Sequence, residues 1–170
     1  MLTWRKGNLR GGAREIDEVE RSIGFLIEHG NIGLDGSIDE LLVYAESQYR
    51  RAPMVTLDDV NWRKMANTGS YWDYNYAEVK TFKQLFSNLQ LDQEKRDISR
   101  VVKQFMGDGE INDFSGRVEC PICFKLNKSG GVMQDGRFMG PYYLIGGNTR
   151  LTVAKVLGLT PRIISINVDW

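Results

Sequence analysis

Five consecutive residues, Gly146-Gly147-Asn148-Thr149-Arg150, have the composition of an anion-binding turn. They follow the apolar run Tyr142-Tyr143-Leu144-Ile145 and open a helical pattern from Thr149 to Leu157 that stops at Gly158. Two glycines let the chain turn with positive φ and let a ligand approach the backbone with no Cβ in the way. The free N–H groups of a helix starting there point outward, and its dipole favours an anion. Asn148 or Thr149 can supply the N-cap. Arg150 is the odd residue, because a cation in a first helical turn sits at the wrong end of the dipole and costs about 0.3–1 kcal/mol. Two readings follow. Either a bound phosphate turns that cost into a contact, or the arginine pairs with a nearby carboxylate.

Phosphoryl transfer at such a turn would need positive charge on the transferring group and a carboxylate to hold Mg²⁺ or accept a proton. Asp58 and Asp59, which follow the first predicted strand of the C-terminal two-thirds, are the candidate catalytic acids; alternatively they start a solvated turn. Lys125, at the end of the next strand, could reach the same cleft if the two strands are adjacent, or could simply face solvent. Arg63 and Lys64 could supplement the charge. Trp62, Tyr71, Trp72, Tyr74 and Tyr76 could stack nucleobases, or pack over the edge of a core.

Cysteine and histidine narrow the chemistry further. A structural zinc site normally needs four N/S ligands, and this chain has two Cys and one His, so no metal site is expected. Cys120 and Cys123 lie three apart on a β-prone run, which points them to opposite faces and makes buried free thiols the expectation. His29 ends an amphipathic pattern, where it decorates a helix C-terminus.

The 170 residues carry 22 Lys+Arg against 22 Asp+Glu, and 42% are hydrophobic. That composition supports a packed core and argues against a protein that wraps duplex DNA by bulk charge. No apolar run approaches the roughly 20 residues that span a bilayer, and no signal-peptide core follows the N-terminus. A soluble, cytoplasmic protein is expected, with no membrane partner.

The elements that must position these residues can be read from periodicity. Residues 1–12 hold three glycines and three basic side chains and read as a flexible basic arm. Ile16, Val19, Ile23, Leu26 and Ile27 recur at helical spacing up to Gly30. Ser37-Ile38-Asp39-Glu40 fits a capping box, and a second helix follows through Leu41, Ala45 and Tyr49 to the stop before Pro53. Residues 13–52 thus predict a helical hairpin, which could also serve a homodimer or a protein partner. From Met54 the texture changes. Met54–Val60 reads as a short strand into a turn. Residues 61–76 look irregular, and helical faces follow at Val79–Leu89 and Ile98–Met106. Val118–Leu126 is β-prone, with Pro121 favouring an edge or a bulge. Residues 127–137 are turn-rich, and Arg162–Val168 is a final strand. The organisation expected is a 1–52 extension followed by a 53–170 domain.

Strand, Gly-Gly-x-x-Arg, a helix containing Ala154 and ending Leu157-Gly158-Leu159, then a strand after Pro161, together resemble the ParB/sulfiredoxin superfamily. Met54–Val60 is similar to that family's opening strand before Asp-Asp, and Cys120-Pro121-Ile122-Cys123-Phe124 to its Pro-containing second strand. The resemblance covers residues 53–170. It implies an α/β fold with a ParB/sulfiredoxin-like mixed sheet and flanking helices, preceded by the helical hairpin. It also implies that Gly146, Gly147, Asn148, Thr149 and Arg150 bind phosphate or nucleotide, ATP or CTP with Mg²⁺. Sulfiredoxins carry a reactive Cys and then His where this chain has Asn148 and Thr149, so sulfinic-acid reduction is not expected. No Arg-rich motifs or helix-turn-helix segment extend to Trp170, so clamp-type DNA partitioning is not expected either. What the resemblance implies is a nucleotide-dependent phosphotransferase, or a related enzyme such as a nuclease, in nucleic-acid metabolism. The alternative is a non-catalytic regulatory module that binds DNA, RNA or a protein. A small stand-alone member suits a phage accessory protein acting in the host cytoplasm, by analogy only.

Overall fold

The computed structural model describes residues 2–7, 9, 19–20, 22–24, 26–28, 38–57, 98–107, 114–126, 133–134, 137–138, 140–147, 150–151, 153–154 and 157–168. Asp58, Asp59, Asn148, Thr149, His29, the aromatic stretch at 61–76 and the helical pattern at 79–89 lie outside the described residues. The described elements are β1 (Thr3–Arg5), α1 (Ile38–Tyr49), β2 (Met54–Thr56), α2 (Ile98–Met106), β3 (Arg117–Glu119), β4 (Ile122–Leu126), β5 (Met133–Gln134), β6 (Arg137–Phe138), β7 (Tyr142–Gly146) and β8 (Arg162–Val168). Residues 19–20, 22–24 and 26–28, and residues 150–151 and 153–154, are also helical. The fold is mixed α/β.

A four-stranded sheet runs in the order β2-β8-β4-β7. β8 is antiparallel to β2 and parallel to β4, while β4 is antiparallel to β7. The two inner strands are the most apolar, Ile122-Cys123-Phe124 and Ile163-Ile164-Ser165-Ile166, and both of their faces are buried. Such runs suit interior strands covered on both sides. One face presents Ile122, Phe124, Tyr143, Ile145, Ile164 and Ile166 to Val19, Ile23 and Leu26 and to α1. Helix α1 answers with Leu41, Ala45 and Tyr49, buried at i, i+4 and i+8 as one stripe. Each fully buried Ile or Phe contributes roughly 1.5–3 kcal/mol. The opposite face, with Cys123, Leu144 and Ile163, packs on Leu57 and Leu151. Residues on both sides of position 52 therefore share one core.

The N-terminal residues differ from the flexible arm that their glycines and basic side chains suggest. Thr3–Arg5 pairs in parallel with β3, Thr3 opposite Arg117 and Arg5 opposite Glu119. Trp4 is the physical reason, because its ring meets Phe105 of α2 edge-on, with centroids 5.5 Å apart at 85°. Val101, Val102 and Phe105 of α2, Val118 of β3, and Val153 and Ala154 complete that second cluster.

The β-prone run 118–126 is two strands, not one. The chain leaves β3 at Cys120-Pro121 and enters β4, which pairs on both sides and so is no edge. Pro121 stands where no N–H is needed: the Cys120 N–H donates to the Arg5 carbonyl at 2.8 Å, and the Pro121 carbonyl accepts from Ile164 N–H at 2.8 Å. The ladder slips beside it, between Ile122 and Cys123. Within the turn-rich stretch, β5 and β6 pair antiparallel, Met133 opposite Phe138, on either side of Asp135-Gly136, a dipeptide that favours hairpins.

One polar contact fixes the first helical segment to the sheet: the Tyr143 hydroxyl donates to the Ser22 carbonyl at 2.7 Å, both residues being buried. Tyr143→Phe keeps the ring and removes that hydrogen bond, which should cost about 0.5–1.5 kcal/mol. Val43→Thr on the exposed side of α1 should change stability by no more than about 0.5 kcal/mol. Urea denaturation of both variants checks this; a neutral Tyr143→Phe would mean that the first helical segment is not seated on the sheet as described.

Candidate functional site

Strand β7 delivers the chain to Gly147, whose φ is +88°. A side chain there would be strained in the left-handed region and would also collide: a Cβ would fall 2.8 Å from Pro121 Cα and 2.9 Å from Arg150 Nη2. Glycine is required twice over. Its carbonyl accepts the Leu151 N–H at 2.9 Å, a helix-type bond spanning four residues. Gly146 carries no such constraint, since a Cβ there would make ordinary contact with Val19 and Ile122 at 3.4 and 3.7 Å.

Arg150 is buried, with 8% of its surface exposed. Its Nη1 donates to the Glu119 backbone carbonyl at 3.3 Å and to Glu119 Oε2 at 3.3 Å. The other carboxylate oxygen, Oε1, takes Nη2 of Arg5 at 3.0 Å. The cation at the unfavourable end of the dipole is thus balanced by a carboxylate, and the second of the two sequence readings describes the arrangement seen. Gly7 presses on the same group, for a Cβ there would sit 2.5 Å from Glu119 Cδ.

Next along the chain, Cys120 lies within the fields of Arg162, Arg150 and Lys6. Burial outweighs the three cations and pushes its thiol up to about 11. Lys6 Nζ donates to the Arg50 and Ala52 carbonyls at 3.0 and 2.8 Å, closing the end of α1, and lies 5.1 Å from the Tyr49 ring centroid. The same burial lowers the Lys6 pKa, with the Cys120 charge acting against it. Arg162 reaches the Met54 carbonyl at 3.5 Å, and its buried Nε has no hydrogen-bond partner among the described residues.

Gly146, Gly147 and Arg150 therefore come together, while Asn148, Thr149, Asp58 and Asp59 lie outside the described residues. Lys125 is not brought to the turn. Its strand does neighbour β7, but the two run antiparallel, so Ile122 lies opposite Gly146 while Lys125 lies opposite Tyr142. Three residues of strand separate those levels, about 10 Å. Lys125 instead sits with Nζ 5.9 Å from the Tyr142 ring centroid. Cys120 and Cys123 are buried, form no disulfide and pack into clusters on opposite faces of the sheet. Burial raises the Cys123 thiol as well. Among the described residues no group of three or more Cys, His, Asp or Glu side chains could hold a metal.

Sequence reasoning missed Glu119, Arg5, Lys6 and Arg162. The carboxylate that Arg150 needed was foreseen as a class, but its identity was not, because Glu119 stands 31 residues from Arg150 and 114 from Arg5. Comparison with protein-family models, curated proteins and solved structures finds no match.

Two outcomes test this geometry. Gly147→Ala should lose about 2 kcal/mol or more, from the left-handed backbone plus the overlap with Pro121, whereas Gly146→Ala should stay within about 1 kcal/mol; equal losses in thermal melts would contradict the turn. For Cys120, the unfolded chain gives up its thiol proton near 9.0 and the folded one near 11. The native state binds the extra proton between those values, so this thiol makes stability fall as pH rises through that window. Urea titrations from about pH 9 to 11 should show a shallower fall for Cys120→Ala than for the parent, and coincident slopes would contradict the buried thiol.

Proposed function

We propose that this chain binds the phosphate group of a nucleotide, ATP or CTP with Mg²⁺, at Gly146–Arg150, as a ParB/sulfiredoxin-type domain would. One observation carries the reading. A glycine main chain that tolerates no Cβ lies against an arginine guanidinium, at a sheet end that also gathers Arg162 and Lys6. Backbone approach plus a fixed guanidinium is what a phosphate uses.

The use we propose for that binding is phosphoryl transfer in nucleic-acid metabolism. The chain's part is then to orient the phosphate with Arg150 and the turn, while Asp58 or Asp59 holds the ion or accepts the proton. Lys125 drops out of this reading because it sits at the far end of β4. Mg²⁺ would arrive with the nucleotide and withdraw electron density from the phosphate. With Arg150 already paired to Glu119, the alternative reading is a non-catalytic module that binds DNA, RNA or a protein. A partner docking through residues 13–52 would meet α1 on its outer side, because Leu41, Ala45 and Tyr49 are already buried against the sheet.

Thermal melts with ATP, CTP or GTP plus Mg²⁺ decide between them. At a ligand concentration about 100 times Kd the gain is about 2.7 kcal/mol, or several degrees for a chain of this size. The wild type should gain with at least one nucleotide, and a folded Arg150→Gln should gain little. No shift with any nucleotide would sink the nucleotide reading; nucleic-acid binding that then falls steeply with salt would support the second.

A further inference from the structure

Arg150 already holds an anion. The carboxylate of Glu119 gives one oxygen to Arg150 and the other to Arg5, at 3.3 and 3.0 Å, and Gly7 packs against its back. The Arg150 side chain is 10% exposed and that of Glu119 24%, so the pair is neither solvated nor sealed. A ligand that takes Arg150 must displace a group carrying one negative charge.

We propose that Glu119 gates the Arg150 guanidinium beside Gly147, admitting a phosphate monoester, such as a terminal nucleotide phosphate, and rejecting a phosphodiester. This rests on the nucleotide reading above. A diester brings a single charge and gains nothing over the carboxylate that it must replace. A monoester at neutral pH carries about −1.5 to −2 and three acceptor oxygens, so it wins the exchange. The displaced carboxylate keeps Arg5 as its partner, and Arg162 and Lys6, close to Cys120, add positive charge to the same sheet end. The gate therefore excludes the internal backbone of a nucleic acid as the group bound at Arg150.

Calorimetric titration of AMP and of its 5′-phosphate methyl ester, which differ in one charge and one methyl group, tests the gate. The wild type should bind AMP at least about tenfold more tightly than the ester, equivalent to about 1.4 kcal/mol. Glu119→Gln, of the same shape without the charge, should bring the ester to within about threefold of AMP. Wild type binding both ligands equally overturns the gate and leaves the nucleotide reading standing, and needs no variant to be made. A Glu119→Gln protein that keeps the tenfold ratio also overturns it. Neither ligand binding to folded wild type or variant also overturns the gate, while the nucleotide reading still stands or falls on the melts with ATP, CTP or GTP plus Mg²⁺.

Discussion

The carboxylate of Glu119, shared between Arg5 and Arg150, is the interaction on which this end of the molecule depends. Through it the last residue of β3 joins the N-terminal strand to the helical residues 150–151. Each partner has a reason to be there. Arg150 lies at the positive end of a helix and is buried, so it needs a counter-charge. Arg5 is carried to the same place by β1, whose Trp4 anchors on Phe105. Gly7 leaves room for the carboxylate, and Pro121 releases the chain from one sheet into the next without leaving a ladder donor short.

The constraint reaches into the main sheet. Gly147 lies against Pro121, and Ile122 lies opposite Gly146, so the turn is held by the start of β4. The same strand carries the core that the N-terminal helices cover. A change at the turn is therefore felt by two strands and by the segment bearing Arg5, whereas Lys125, at the other end of β4, stands apart from it. The described cations Arg5, Lys6, Arg150 and Arg162, far apart in the chain, thus meet near the start of β4.

Much of the local structure was legible. The stripe Leu41, Ala45, Tyr49 has helical period, and β7 and β8 are apolar runs bounded by Gly or Pro; both are local signals. Cys120 and Cys123 do lie in clusters on opposite faces, but across the break at Cys120-Pro121 and the slip beside it rather than through the period of one strand. What was not legible is non-local. Nothing in the spacing of Arg5, Glu119 and Arg150 announces that they meet, because tertiary pairing sets their distances. Strand adjacency put Lys125 near the turn on paper, but register and direction decide which end of a strand meets which, and neither is written in composition. Thr3–Arg5 looked like an arm because three residues are too few to show a period, and its one informative residue, Trp4, depends on a partner about a hundred positions away.

The account comes down to whether Arg150 can exchange Glu119 for a phosphate. A crystal structure of the protein with AMP measures that directly. The account predicts phosphate oxygens on Arg150 Nη1 and against the Gly147 main chain, with Glu119 withdrawn from Arg150 and held by Arg5 alone. A structure in which AMP is bound elsewhere and Arg150 still rests on Glu119 would contradict it.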